Sequence, residues 1–298
     1  MKKILLTGGS GFFAKEFVKN VSSDYAIKTL GRNKANDICC DLVTDKPSFT
    51  GTFDIIVHAA GKAHFNARTP LEEKDFFDVN LLGTSNLLAA LEGCAVLPTS
   101  FVFISSVSVY GAQTGLFINE ECPLNAQDPY GVSKIKAELA IIEWCQRHNV
   151  TCSILRLPLL VGSNPPGNLG NMIKGIKKGY YLNIAGGKAK KSMVLASDIA
   201  TIIPSAAEIG GIYNLTDGYH PSFKELSNAI AEKFKRKAPI NIPLRLAKTL
   251  AKLGDLIGPN SPFNTIKLHK ILSDLTFDDE KARIHLGWKP SRVLDHLL

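Results

Sequence analysis

The sequence predicts an α/β protein: a doubly wound parallel sheet followed by a smaller, mostly helical unit. Three observations predict it. Strand-like and helix-like segments alternate through residues 1–166, a glycine-rich turn joins the first strand to the first helix, and the pattern turns helical after Pro165-Pro166-Gly167.

The elements follow in order. Residues 4–7 form a short β-type run, and a helical pattern follows the glycines over 12–21. Residues 25–30 and 37–40 read as the second and third strands, the latter stopped by Asp41-Leu42. Residues 53–58 (FDIIVH) are almost continuously apolar, as in a strand buried on both faces. A long amphipathic helix covers 70–91, and the fifth strand covers 100–105. A helix over 130–148 precedes the sixth strand at 151–156. Beyond residue 166, helices are expected at 168–178, 197–208, 222–235, 244–257 and 263–273, with strands at 192–195 and 212–215. The first unit, 1–166, is expected to be rejoined by about 192–216, and the rest of 167–298 to fold against it across a cleft.

Composition narrows the function. The chain has 298 residues, 45% hydrophobic and 21% charged, with 24 Gly and 15 Pro, which excludes a disordered chain, a collagen and a coiled coil. The six cysteines (39, 40, 94, 122, 145 and 152) form no CxxC, and the seven histidines form no HExxH, so no metal centre is expected. After Met1-Lys2-Lys3 the apolar run is only Ile4-Leu5-Leu6, which is no signal peptide, and no stretch approaches the ~20 apolar residues of a membrane span. A cytoplasmic location is expected. The net charge of +8 suits an anionic partner such as a nucleotide, but nothing has the aromatic interleaving or finger spacing of a nucleic-acid module.

Thr7-Gly8-Gly9-Ser10-Gly11-Phe12-Phe13-Ala14 stands between a strand and a helix, the context of a Rossmann-type dinucleotide fingerprint. Gly8 permits the tight turn, Gly11 the approach of a pyrophosphate, and the helix N-terminus offers free N–H groups. The second strand ends Gly31-Arg32-Asn33-Lys34, with no carboxylate before Asp37. An acidic residue there would hold the ribose of NAD, whereas Arg32 can hold a 2′-phosphate. NADP(H) is therefore favoured over NAD(H). Asp41 and Leu42 are placed to bracket the adenine.

Tyr130 and Lys134 lie four apart at the start of a helix and share a face. A nearby ammonium is expected to lower the phenol's pKa and fit it for proton transfer. Ser105 and Ser106 end the fifth strand, at the sheet edge where such folds bind ligands.

The chain resembles the extended short-chain dehydrogenase/reductases of the nucleotide-sugar epimerase/dehydratase family. TGGSGFFA at 7–14, DL at 41–42, HAAG at 58–61, VNLLGTSNLL at 79–88, FISSVSVYG at 103–111, YGVSK at 130–134 and LRLPLLVG at 155–162 carry the resemblance over nearly the whole chain. It implies Tyr130 as acid/base, Lys134 as the ligand of the nicotinamide ribose and Ser106 as the hydroxyl partner. It implies that Ala59, Ala60, Gly61 and Lys62 line the cofactor with Gly8, Gly11, Phe12 and Phe13. Asn80 matches the family's structural asparagine, and Pro158 falls beside the nicotinamide. Asn168 and Lys191 fall where the family contacts the nucleotide diphosphate, Lys191 standing where an arginine is common. By analogy, helices 70–91 and 130–148 would pair in a homodimer.

The resemblance also frames the reaction. Ser106 is followed by Val107-Ser108-Val109 where dehydratases carry Asp-Glu, which disfavours dehydration. Arg32 and the tail (222–234, 240–258, 275–290), similar to proteins of bacterial polysaccharide assembly, favour a 4-ketoreductase of a UDP-4-keto-6-deoxy-N-acetylhexosamine. The alternative is a 4-epimerase of UDP- or lipid-linked N-acetylhexosamines with tightly bound NAD. A non-catalytic NADP(H) sensor is a third reading, opposed by the intact Ser106, Tyr130 and Lys134. In residues 244–257, Leu246, Leu250, Leu253 and Ile257 form a stripe flanked by Arg245, Lys248 and Lys252. Packing of one face on a neighbouring helix is the favoured reading, and contact with a membrane surface the other.

Overall fold

The computed structural model describes residues 1–297 except 22, 24, 64–68, 259, 260 and 262. Its centre is a seven-stranded parallel sheet. The strands are β1 (Lys2–Thr7), β2 (Tyr25–Gly31), β3 (Ile38–Cys39), β4 (Ile55–His58), β5 (Ser100–Ser106), β7 (Thr151–Leu157) and β11 (Gly211–Asn214), in spatial order β3-β2-β1-β4-β5-β7-β11. The order reverses between β1 and β4, which opens the crevice where such sheets bind ligands.

Helices cover both faces, as the unbroken apolar strands demand. On one face α1 (Phe12–Asn20) and α6 (Ala196–Ile209) bury Phe13, Phe17, Ile199 and Ile203 against Ile4, Leu6, Ile55 and Val57. On the other, α3 (Gly83–Glu92) and α4 (Pro129–His148) bury Leu87, Leu91, Ala137, Ile141 and Trp144 against Leu5, Ile56, Phe101 and Phe103. The helix expected over 70–91 is present but not uniform. α2 (Pro70–Phe77) starts on a capping box between Thr69 and Glu72, then passes into α3 through a π-helical turn at Asp78–Leu82.

α5 (Gly167–Lys178), α7 (Phe223–Lys233), α8 (Leu244–Ile257) and α9 (Thr265–Leu272) form a second lobe, whereas α10 (Glu280–Leu286) returns to the main sheet and buries Ala282 and Leu286 in its core. Between them run short parallel pairs: β6 (Gly115–Ile118) with β13 (Leu275–Phe277), β8 (Leu159–Val161) with β10 (Met193–Leu195), and β9 (Leu182–Ile184) with β12 (Ile240–Ile242). The strand expected at 212–215 is β11, and it extends the main sheet beside β7.

One expectation about α8 is corrected. The helix packs on its neighbour, but not through its leucines. Ala247, Ala251 and Gly254 are the buried positions, and a Cβ on Gly254 would collide with the Phe263 carbonyl. Small side chains let the two backbones approach, so this stripe wins the inner face, and Leu246, Leu250 and Leu253 stay exposed. Among the described residues no helix is long and apolar enough to cross a membrane.

Candidate active site

The parallel register brings the sequence-predicted residues to one edge. Thr7 stands beside His58, His58 beside Phe103, and Ser106 beside Leu157, so the loops leaving β1, β4, β5 and β7 share the carboxyl edge. The loops carry Gly8–Gly11, Ala59–Lys62 and Pro158, while Phe12 opens α1 and Ser106 ends β5.

The glycine turn fits a pyrophosphate. Gly8 has φ of 72°, and a Cβ there would sit 2.8 Å from the Ala60 nitrogen, so the turn can close on the β4 loop only with glycine. No side chain caps α1 at Gly11, which leaves the first N–H groups of the helix available to an anion. Phe12 is half-buried, whereas Phe13 is in the core beside Phe17, so Phe13 can offer a cofactor only its backbone. Asn36, which sequence reasoning missed, is buried and donates to Ser10 Oγ at 3.1 Å, tying the turn to the loop after β2.

That loop bears on the 2′-position. Arg32 is exposed, and its guanidinium makes no ion pair among the described residues. The nearest carboxylate in sequence, Asp37, is engaged: it accepts from Thr29 N and Thr29 Oγ1, each at 2.8 Å. Those bonds hold its carboxyl below the usual range. Asp41 is half-buried and accepts from Val43 N, while Leu42 is buried below Gly83.

The loop after β4 is held by two buried side chains. Asn80, in the π turn, accepts from Lys62 N at 2.7 Å and donates to Lys62 O and to Ser133 Oγ. The extra residue of the π turn faces Asn80 inward, where it joins the Gly61-Lys62 loop to α4. Lys62 pairs with Asp75 at 2.7 Å. His58, also missed, is fully buried between Thr7 Oγ1 (2.6 Å) and Thr84 Oγ1 (2.9 Å). Thr84 donates to Asn80 O and Ala60 N donates to Thr7 Oγ1, so Nε2 must donate and Nδ1 accept. Burial, helped by the charge of Lys134, pushes the imidazole down to about 3.

A pH dependence follows. Above pH 6.5 the ring is neutral in both folded and unfolded chains, and its contribution is fully present. As pH falls toward 3 only the unfolded chain takes the proton, so stability drops by up to about 1.4 kcal/mol per pH unit. Urea unfolding at pH 7 and pH 5 should show a smaller loss for His58→Gln than for the native chain, and equal losses would contradict the assignment.

Tyr130 enters α4 at its second residue, after Asp128, whose carboxylate caps Gly131 N, and Pro129. Its ring lies 5.8 Å from that of Phe76, and its phenol stands close enough to the Ser106 hydroxyl for that group to pull its pKa down. Ser106 also accepts from Ser108 N at 3.2 Å, which fixes its rotamer. One turn on, Lys134 is buried, donates to Ile104 O at 2.7 Å and stands 3.9 Å over the Phe103 ring. The expected electrostatics are corrected here. Burial pushes the Tyr130 phenol above its ordinary value, opposed by Ser106 and aided by Asp128. Lys134 is tied to the β5 carbonyl instead of the phenol. Burial pushes its ammonium down to about 7 against the pull of Glu138.

Behind this set runs a buried network that sequence reasoning missed. Glu138, the next turn of α4, accepts from Ser105 Oγ and pairs with Arg156 of β7 at 2.7 Å. Arg156 donates to the Tyr110 hydroxyl at 3.1 Å, and Tyr110 donates to Asn214 at 2.8 Å. The spacing Tyr130, Lys134, Glu138 was the available signal. Asn168, exposed in the first turn of α5, and Lys191, half-buried with Nζ on Lys270 O at 3.2 Å, stand apart in the second lobe. No hydrogen bond among the described residues joins either to Ser106, Tyr130 or Lys134.

Hydride chemistry on a nicotinamide needs a cradle for the pyrophosphate and a proton donor at the same sheet edge. Both stand here, so the fold and the site define a nicotinamide-dependent enzyme. Residues 4–215 match the NAD dependent epimerase/dehydratase family, and the chain belongs to it. It is 26% identical over 299 residues to an Escherichia coli O157:H7 protein named N-acetyl-alpha-D-glucosaminyl-diphospho-ditrans,octacis-undecaprenol 4-epimerase, covering 94% of this chain and 88% of that protein. It is 26% identical over 319 residues to UDP-glucose 4-epimerase of Vibrio cholerae, covering 98% and 92%. The solved structure of RMD from Pseudomonas aeruginosa complexed with NADPH shares the fold, with a TM-score of 0.75 at 20% identity over 99% of this chain and 96% of that one.

Proposed function

We propose that the protein is an NADP(H)-dependent 4-ketoreductase acting on a UDP-4-keto-6-deoxy-N-acetylhexosamine in surface polysaccharide biosynthesis. The observation that carries this reading is the end of β2, where Arg32 is exposed with no ion pair among the described residues and Asp37 is engaged by Thr29. A cationic side chain with no competing carboxylate suits a 2′-phosphate.

When bound, the nicotinamide supplies the hydride. The chain's own residues do the rest. The α1 N-terminus and the Gly8–Gly11 turn bind the pyrophosphate, and Asp41 and Leu42 border the adenine. Ala59 to Lys62, Asn80 and Pro158 shape the floor beneath the nicotinamide. Tyr130 is a neutral phenol at neutral pH, and burial raises its pKa further. It can therefore donate to the oxygen at C4 as that oxygen gains charge, with Ser106 hydrogen-bonded to the same oxygen. Lys134 is free to exchange the Ile104 carbonyl for a ribose hydroxyl. Asn168 and Lys191 would receive the diphosphate of the substrate.

Arg32→Ala is expected to raise the KM for NADPH about tenfold while leaving kcat and the KM for NADH within about twofold. Steady-state kinetics with both cofactors test it, and an unchanged KM for NADPH would contradict the cofactor assignment.

A second reading is favoured by one finding: both curated relatives above are named as 4-epimerases. In that reading Tyr130 first removes and then returns a proton at the C4 oxygen, and NAD stays bound. Dinucleotide released from the heat-denatured protein distinguishes the two, because only the epimerase should carry stoichiometric NAD.

A further inference from the structure

The second lobe exposes apolar side chains next to most of the chain's charge. α8 rests on α9 through Ala247, Ala251 and Gly254. Leu246, Leu250, Leu253 and Ile257, at i, i+4, i+7 and i+11, fall one step round the helix and face solvent, with Leu253 54% and Ile257 76% exposed. Leu256 is 84% exposed beside them, and Leu244 and Ile240 are also exposed just before them in the chain. Seven of the twenty-one exposed large apolar side chains among the described residues lie within residues 240–257. An exposed apolar stripe of this kind on one helix marks a binding surface.

The charge decides what it binds. Residues 235–270 carry eight lysines and arginines and one acidic residue, Asp255, a net +7 against +8 for the whole chain. Asp255 is itself engaged by Thr265 N at 3.0 Å and Thr265 Oγ1 at 3.1 Å. Arg245, Lys248 and Lys252 flank the leucines on α8, and Lys267 and Lys270 follow on α9. A second copy meeting this patch about a two-fold axis would set like charge against like charge. A surface that takes up leucines and neutralises cations together is an anionic bilayer, with an acyl boundary below and phosphates above.

We propose that α8 is a docking helix that lies in the interface of an anionic lipid bilayer, with Leu246, Leu250, Leu253, Leu256 and Ile257 at the acyl boundary and Arg245, Lys248 and Lys252 on the headgroups. The arrangement holds the enzyme at the membrane without a spanning segment, and it does not depend on which C4 reaction the site performs.

The test is flotation of the full-length protein with vesicles of phosphatidylcholine alone or with about 30 mol% phosphatidylglycerol. Binding is expected to the anionic vesicles, to weaken with added salt and to be about tenfold lower or absent on the neutral ones. Leu246→Gln/Leu250→Gln/Leu253→Gln and Lys248→Glu/Lys252→Glu should each lower binding about tenfold or more, with NADPH affinity and thermal midpoint unchanged. All five altered side chains are exposed and lie off the buried Ala247, Ala251 and Gly254 stripe, so both variants should fold. Three results would overturn the proposal. They are no flotation with anionic vesicles, undiminished flotation of the leucine variant, and a native oligomer that the leucine variant dissociates while vesicles do not bind.

Discussion

Tyr130→Phe is expected to lower kcat by roughly 10²–10⁴-fold while leaving the affinity for NADPH within about twofold. The substitution removes one oxygen and leaves the ring, which packs against Phe76. The lost hydroxyl is the group beside Ser106, and it carries its proton at neutral pH. Lys134 does not stand in its place, because its ammonium donates to Ile104 O and lies over the Phe103 ring. Turnover measured beside a nucleotide titration separates chemistry from binding. Undiminished turnover would remove Tyr130 from the reaction. Ser106→Ala should cost less, since Ser106 shares the substrate oxygen without supplying the proton.

Glu138→Ala is expected to destabilise the fold by about 3–5 kcal/mol, because it strands the Arg156 guanidinium in the core. Glu138 is 1% exposed and Arg156 3% exposed, so water cannot take the carboxylate's place. The same change frees Ser105 Oγ and removes the charge that supports the Lys134 ammonium. Replacing both partners, Glu138→Leu with Arg156→Met, should recover most of the loss, since two apolar side chains leave no buried charge. Urea unfolding of the two single variants and the double variant forms a cycle. A loss below about 1 kcal/mol for Glu138→Ala would mean that the pair does not hold α4 to β7.

Much of this architecture was legible because it is local. The β1–glycine turn–α1 unit is one continuous stretch, and the strands β4, β5 and β7 announce themselves by apolar runs. Tyr130 and Lys134 are one helical turn apart, so their common face follows from spacing alone. Long-range partners were not legible. Arg156 meets Glu138 across 18 residues, and Tyr110 meets Asn214 across 104. The role of His58 depends on Thr7 and Thr84, one on either side of it. The short pairs β6–β13, β8–β10 and β9–β12 are stretches of three or four residues whose propensity is set by their partners. The periodicity of α8 revealed the leucine stripe but not which face of the helix turns inward. A close approach at Gly254 settled that, and sequence spacing carries no such information.

The pKa of Tyr130 teaches the same lesson in electrostatics. A lysine four residues on was a sound reason to expect a lowered phenol. In the fold, the carbonyl of β5 is nearer to hand, and desolvation wins.

The central claim is hydride transfer to a 4-keto sugar, and the most direct measurement is the absorbance of NADPH. Purified protein, NADPH and UDP-4-keto-6-deoxy-N-acetylglucosamine are mixed, and the loss of reduced nicotinamide is compared with the sugar consumed. The account predicts one NADPH oxidised per sugar reduced, abolished by Tyr130→Phe and weakened at low NADPH by Arg32→Ala. No loss of NADPH, together with tightly held NAD in the purified protein, would contradict it and leave the 4-epimerase.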